Sequence, residues 1–171
     1  ELTKTKKLLE QKVSLLRTLS DTDHLTGLPN RAALTKHLGQ RMLERQSEGM
    51  AFALAFVDLD GFKEVNDRYG HYMGDKVLQL VAKRLARNLK SEDVIARFGG
   101  DELVVFLKGH FNAKLAEETL TRLIRKLAEP FEINSVLLTL SASIGVTIYP
   151  QLKELEPDQL IRQADQAMYE A

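Results

Sequence analysis

The chain has 171 residues, 44% of them hydrophobic and 28% charged, which suits one soluble domain with a real core and a short appendage. Lys+Arg and Asp+Glu both count 24, so no basic excess points to nucleic acid or an anionic membrane surface. Cysteine is absent, which excludes disulfides and thiolate metal sites, and neither a run of 18 apolar residues nor a signal peptide is visible. The chain opens on Glu1 and stops within a helical pattern at Ala171, so it reads as a fragment with further domains in the same polypeptide.

Residues 1–20 are Lys-rich and periodic. Leu2, Leu9 and Leu16 recur every seven residues, with Leu8, Val13, Leu15 and Leu19 on the same broad face. A helix packed on its own domain and a coiled-coil dimer stalk fit this pattern equally. Ser20-Asp21-Thr22-Asp23 ends the helix, and residues 21–171 form the main domain. Asn30 is an N-cap for a helix over 31–47, with Leu34, Leu38, Met42 and Leu43 facing inward. Met50 to Val57 is a short apolar run suited to a buried strand, ending in Asp58-Leu59-Asp60. A short helix or turn over 61–68 follows. From His71 a longer helix carries Val77, Leu78, Val81, Leu85 and Leu89 at helical spacing.

Val94-Ile95-Ala96 and Leu103-Val104-Val105-Phe106-Leu107 flank Arg97-Phe98-Gly99-Gly100-Asp101-Glu102, which reads as a β-hairpin with an acidic tip. Asn112 to Ala128 is amphipathic through Leu115, Leu120, Leu123, Ile124 and Leu127, and is stopped by Pro130. Phe131 to Ile148 is β-prone and predicts two strands joined near Asn134-Ser135. Pro157 opens a last helix with Leu160, Ile161, Ala164 and Met168. Consecutive strands without a crossover predict an α+β fold, a mostly antiparallel sheet flanked by helices, and argue against a Rossmann fold.

If the strand ending in Asp58 pairs with the hairpin, Asp58, Asp101 and Glu102 meet at one edge of the sheet. Hard oxygen ligands of this kind suit Mg²⁺, with Mn²⁺ as a substitute, and substrate phosphates complete such a shell. Asp60 reads as a helix N-cap. Asn66 and Asp75 are either caps or a clamp, since a carboxylate accepts two N–H donors from the Watson–Crick edge of guanine while an amide both donates and accepts.

These motifs resemble the GGDEF family of diguanylate cyclase domains. GGDEL at 99–103, DLDGFKEVNDRYGHYMGD at 58–75 and DHLTGLPNR at 23–31 are similar to the family's blocks, in its order and spacing. Ser143-Ile144-Gly145-Val146 and Ala164-Asp165-Gln166-Ala167-Met168-Tyr169 resemble its C-terminal blocks. The resemblance implies a fold similar to the palm of nucleotidyl cyclases and polymerases, and condensation of two GTP to cyclic di-GMP with release of two pyrophosphates. It implies that Asp58, the Leu59 carbonyl and Asp101 hold Mg²⁺ with support from Glu102, and that Asp101 helps deprotonate the 3′-hydroxyl. Gly99 and Gly100 would let the nucleotide approach the hairpin. Asn66 and Asp75 would read guanine, with Phe62, Lys63 and His71 beside the substrate. The expected assembly is a homodimer, cytoplasmic for this domain, in a protein whose other parts are compatible with membrane attachment.

Three departures stand out. Leu103 replaces the signature Phe. The family's RxxD product-inhibition motif reads Lys90-Ser91-Glu92-Asp93, a degraded site. The basic residues that follow the last block in the family fall beyond Ala171. An alternative reading is a catalytically silent domain that binds GTP or cyclic di-GMP and regulates an attached module. A structural dimerisation domain would leave the Asn66/Asp75 pair unexplained.

Overall fold

The computed structural model describes residues 2–48, 51–109 and 112–170. Met50, expected to start the first strand, and the side chain of Leu19 lie outside the described residues. The elements run α1 (Leu2–Asp21), α2 (Arg31–Glu48), β1 (Phe52–Asp60), α3 (Phe62–Tyr69), α4 (His71–Arg87), β2 (Val94–Gly99) and β3 (Glu102–Lys108). Then come α5 (Ala113–Leu127), β4 (Phe131–Ile133), β5 (Val136–Leu138), β6 (Ser141–Tyr149) and α6 (Pro157–Glu170). Four strands form an antiparallel sheet in the order β2-β3-β1-β6, and β4-β5 is a separate two-stranded ribbon. The expected α+β architecture is therefore the observed one.

β1 lies in the middle and is apolar on both sides, so its residues from Phe52 to Val57 are all buried. Successive side chains on a strand alternate faces. Phe52, Leu54 and Phe56 pack with Val104 and Phe106 against Leu34, Leu38 and Met42 of α2 and Leu160, Ile161, Ala164 and Met168 of α6. Ala53, Ala55, Val57 and Leu59 pack with Leu103, Val105 and Leu107 against α3, α4 and α5. α6 presses on β6 closely enough that a Cβ on Gly145 would fall 1.9 Å from the Met168 nitrogen.

The sequence reading needs correction in four places. Phe131 to Tyr149 folds as three strands, because the turn at Asn134 and Ser135, both with positive φ, closes only the small ribbon and leaves β6 free to join β1. α1 continues through Ser20 to Asp21. Leu43 is 70% exposed and Leu115 44% exposed, since each sits one residue off the buried stripe of its helix. Asp60 is not a cap: Gly61 precedes α3 and no side chain caps that helix. Asn30 does cap as expected, accepting the Ala33 amide at 3.0 Å, and Asn112 caps α5, accepting the Leu115 amide at 2.9 Å. Along α1, Leu8, Leu9, Val13, Leu15 and Leu16 are all exposed, so its apolar face is not covered by its own domain.

Candidate active site at the hairpin tip

The register decides where the acids go. Asp58 continues the face of Phe52, Leu54 and Phe56 beyond the core, and its partner across the ladder is Glu102, which continues the face of Val104 and Phe106. The Leu59 amide donates to the Asp101 carbonyl at 3.2 Å, tying the end of β1 to the turn between β2 and β3. That turn needs its glycines: Gly99 has φ 153° and Gly100 φ 45°, and the ladder shifts register between Arg97 and Gly99.

Packing negative groups here has a visible electrostatic consequence. Burial, a hydrogen bond with Asp101, and repulsion from Asp101, Glu102 and Asp60 push the Asp58 carboxyl up from 3.8 to about 6. Burial, then Asp165 and Asp101, raise Glu102 as well, against the pull of Arg31. Asp58 Oδ1 is buried without a hydrogen-bond partner. Asp60 is engaged by β6, accepting from Ser143 Oγ at 3.0 Å and Ser141 Oγ at 3.2 Å. Among the described residues no three His, Cys, Asp or Glu side chains close into a metal cage on their own. The donor set still fits a hard divalent cation of the kind that takes one or two carboxylates and completes its shell with water and phosphate. It offers an orphaned buried carboxylate oxygen and neighbours that repel it.

A second group of candidate residues lies at the junction of α3 and α4. Asn66 Oδ1 is buried and unpartnered, and a Cβ on Gly74 would meet it at 1.8 Å. Position 74 therefore has to be glycine for Asn66 to keep this place. Neither Asn66 nor Asp75 caps a helix, since α3 and α4 have no side-chain cap. Lys63, His71 and Asp75 are exposed, whereas Phe62 is 8% exposed and belongs to the core below them.

The Lys90 to Asp93 segment is a tight turn leading into β2. Asp93 accepts the Lys90 amide at 2.9 Å with one oxygen and the Lys108 amide at 3.1 Å with the other. Its carboxylate thus closes the turn and pins β3, while the Lys90 side chain is exposed. Asp165 and Arg31, which reach Glu102 electrostatically from α6 and the start of α2, were not among the residues singled out from sequence. The only sequence signal for them is membership of the two terminal blocks, because their approach depends on which sheet face α2 and α6 cover.

An antiparallel sheet whose central strand and adjoining hairpin deliver carboxylates to one corner, flanked by helices, is the architecture of a palm-like nucleotidyl cyclase domain. The chain belongs to the GGDEF family: the family described as Diguanylate cyclase, GGDEF domain matches residues 20–171. It is 41% identical over 150 residues to the bifunctional diguanylate cyclase/cyclic di-GMP phosphodiesterase MucR of Pseudomonas aeruginosa, covering 87% of this chain and 22% of MucR. Against diguanylate cyclase DgcP of the same organism it is 41% identical over 151 residues, covering 88% of this chain and 22% of DgcP. The crystal structure of the coiled coil and GGDEF domain of DgcB from Caulobacter crescentus, in complex with c-di-GMP, superposes with a TM-score of 0.85 at 26% identity, covering 98% of this chain and 88% of that one. The chain spans about a fifth of the length of the two curated relatives. No helix among the described residues is long and apolar enough to cross a membrane.

Proposed function

We propose that this domain is an active, Mg²⁺-dependent diguanylate cyclase that works as a dimer and condenses two GTP to cyclic di-GMP with release of two pyrophosphates. The observation that carries the reading is the acidic corner, where Asp58 is aligned with Glu102 and its buried Oδ1 lacks a partner. Carboxylates that crowd and repel one another in this way are a feature of sites that do chemistry, and a domain that only binds nucleotide has no need of all three.

Asp58, the Leu59 carbonyl and Asp101 would hold the cation, with Glu102 in support. When bound, a hard divalent cation supplies Lewis-acid polarisation of the phosphoryl oxygens. The chain's own groups do the rest. Asn66 and Asp75 orient guanine, and adenine is rejected because it would leave these groups unpaired. Lys63 offers a positive charge to phosphate, and His71 lies beside the substrate. Gly99 and Gly100 carry no side chain to obstruct the nucleotide. Asp101 accepts the proton of the 3′-hydroxyl as its oxygen attacks the α-phosphorus of the second nucleotide, and the bond to pyrophosphate breaks. The same event in the opposite sense closes the ring.

One half-site per domain requires two facing copies to make a two-fold symmetric product. The exposed leucines of α1 support a helix pair that raises the effective concentration of one site near the other. The test is incubation of the full-length protein with GTP and Mg²⁺, with products identified by mass and the rate measured across a dilution series. Cyclic di-GMP is expected from the parent and none from a folded Asp101→Ala variant, with the rate per protomer falling on dilution. GTP binding without product from the parent would favour the silent regulatory domain.

A further inference from the structure

The turn that carries Asp101 is built from two glycines, whose backbone is the least restricted of any residue. A metal-ligating carboxylate on such a turn is misplaced by any rotation of the flanking peptides. Both flanking carbonyls are nevertheless held. The Asp101 carbonyl accepts from the Leu59 amide at 3.2 Å. The Gly100 carbonyl accepts from Arg97 twice, from Nη2 at 3.0 Å and Nε at 3.2 Å. The Asp101 Cα is thus pinned from both sides, which fixes the direction of its side chain.

Arg97 is itself clasped. Its Nη1 donates to Asp23 Oδ1 at 3.0 Å and to Oδ2 at 3.3 Å, and the pair is largely shielded, with side-chain exposures of 15% and 19%. Asp23 is steadied in turn by Thr26, which donates its amide at 2.9 Å and its hydroxyl at 2.6 Å to Oδ2. The loop between α1 and α2 that carries both residues is docked by two further bonds. The Arg97 amide donates to the Pro29 carbonyl at 3.0 Å, and Gln79 of α4 donates to the Leu25 carbonyl at 3.1 Å.

We propose, on the cyclase reading above, that Arg97 is a positioning residue that fixes the Gly100 peptide and so presents Asp101 to the divalent cation, with Asp23 holding Arg97 in that pose. The guanidinium is needed for its shape. Three of its nitrogens serve two partners on opposite sides, and a lysine ammonium is a point donor that keeps the charge but not the fork. Asp23 stands two residues past the end of α1, so the same clasp joins that helix to the acidic tip.

The experiment is a titration of full-length, chelator-treated protein with Mn²⁺ and no nucleotide, with free Mn²⁺ read by electron paramagnetic resonance. The parent, Arg97→Lys, Asp23→Asn and Asp101→Asn are compared, and melting temperatures are taken in chelator. Arg97→Lys is expected to weaken Mn²⁺ binding about tenfold, as removal of an outer-shell partner does. Asp23→Asn should act in the same direction and more weakly, and Asp101→Asn should bind least. Should Arg97→Lys melt out, Asp23→Asn decides the matter alone. If Asp101→Asn weakens binding while folded Arg97→Lys and Asp23→Asn bind as the parent does, the positioning role is wrong and the cyclase site stands. If Asp101→Asn also binds as tightly as the parent, the metal-site reading fails and the positioning role fails with it.

Discussion

Asp58→Asn should stabilise the metal-free protein while destroying its metal site. The Asp58 carboxyl is pushed from 3.8 to about 6 by burial and by its acidic neighbours, so its ionised form is disfavoured in the folded state. A folded-state carboxyl raised above its unfolded value gives a penalty that is absent below about pH 4, grows as pH rises to about 6, and is constant above. Each pKa unit is worth about 1.36 kcal/mol, which caps the penalty near ~3 kcal/mol, and partial solvent access at this corner reduces it to about 1–2 kcal/mol. Asparagine is isosteric, carries no charge, and can donate to Asp101 or Glu102. The assay is urea unfolding of parent and variant at pH 4 and pH 8 in chelator, then at pH 8 with excess Mg²⁺. The variant should gain about 1–2 kcal/mol over the parent at pH 8 and little or nothing at pH 4. Added Mg²⁺ should reverse the order, because a ligand that binds only the folded parent stabilises it by mass action. Equal stabilities at pH 8 in chelator, or a gain that is larger at pH 4, would refute the electrostatic argument.

Two other outcomes are expected. Asn66→Ala and Asp75→Asn should each raise KM for GTP and lower the GTP/ATP preference by about tenfold, roughly one well-paired polar contact; an unchanged ratio in both would return the residues to a structural role. Lys90→Arg should restore a planar fork at the degraded inhibition motif and tighten non-competitive inhibition by cyclic di-GMP by on the order of tenfold, read from product-inhibition kinetics. Asp93→Ala is the less clean probe, since it also strips the Lys90 and Lys108 amides of their acceptor at a cost of about 1–3 kcal/mol in melting experiments.

The elements themselves were largely legible in the residues. The short, continuous apolar run of β1 reads as a buried strand, and the Gly99-Gly100 corner between two apolar runs reads as a hairpin, as both are in the structure. Helical periodicity marked α4 and α6, and Asn30 announced the helix it caps. Local propensity, capping and pattern act over a few residues, and a sequence displays them directly.

What pairs with what lies beyond their range. The run from Phe131 to Tyr149 carries enough β propensity for two strands or three, and only the availability of an edge on β1 separates β6 from the small ribbon. Asp60 has the look of a helix cap, yet two serines about 80 residues away claim it, because β6 comes to lie alongside it. Asp23 and Arg97 are 74 positions apart, and no period or spacing connects them. The chain alone fixed which acids are present; the pairing of β1 with β3 and β6 decided that Asp58 meets Glu102 while Asp60 is bonded by Ser141 and Ser143, because facing partners are set by ladder register, a long-range property of the closed sheet.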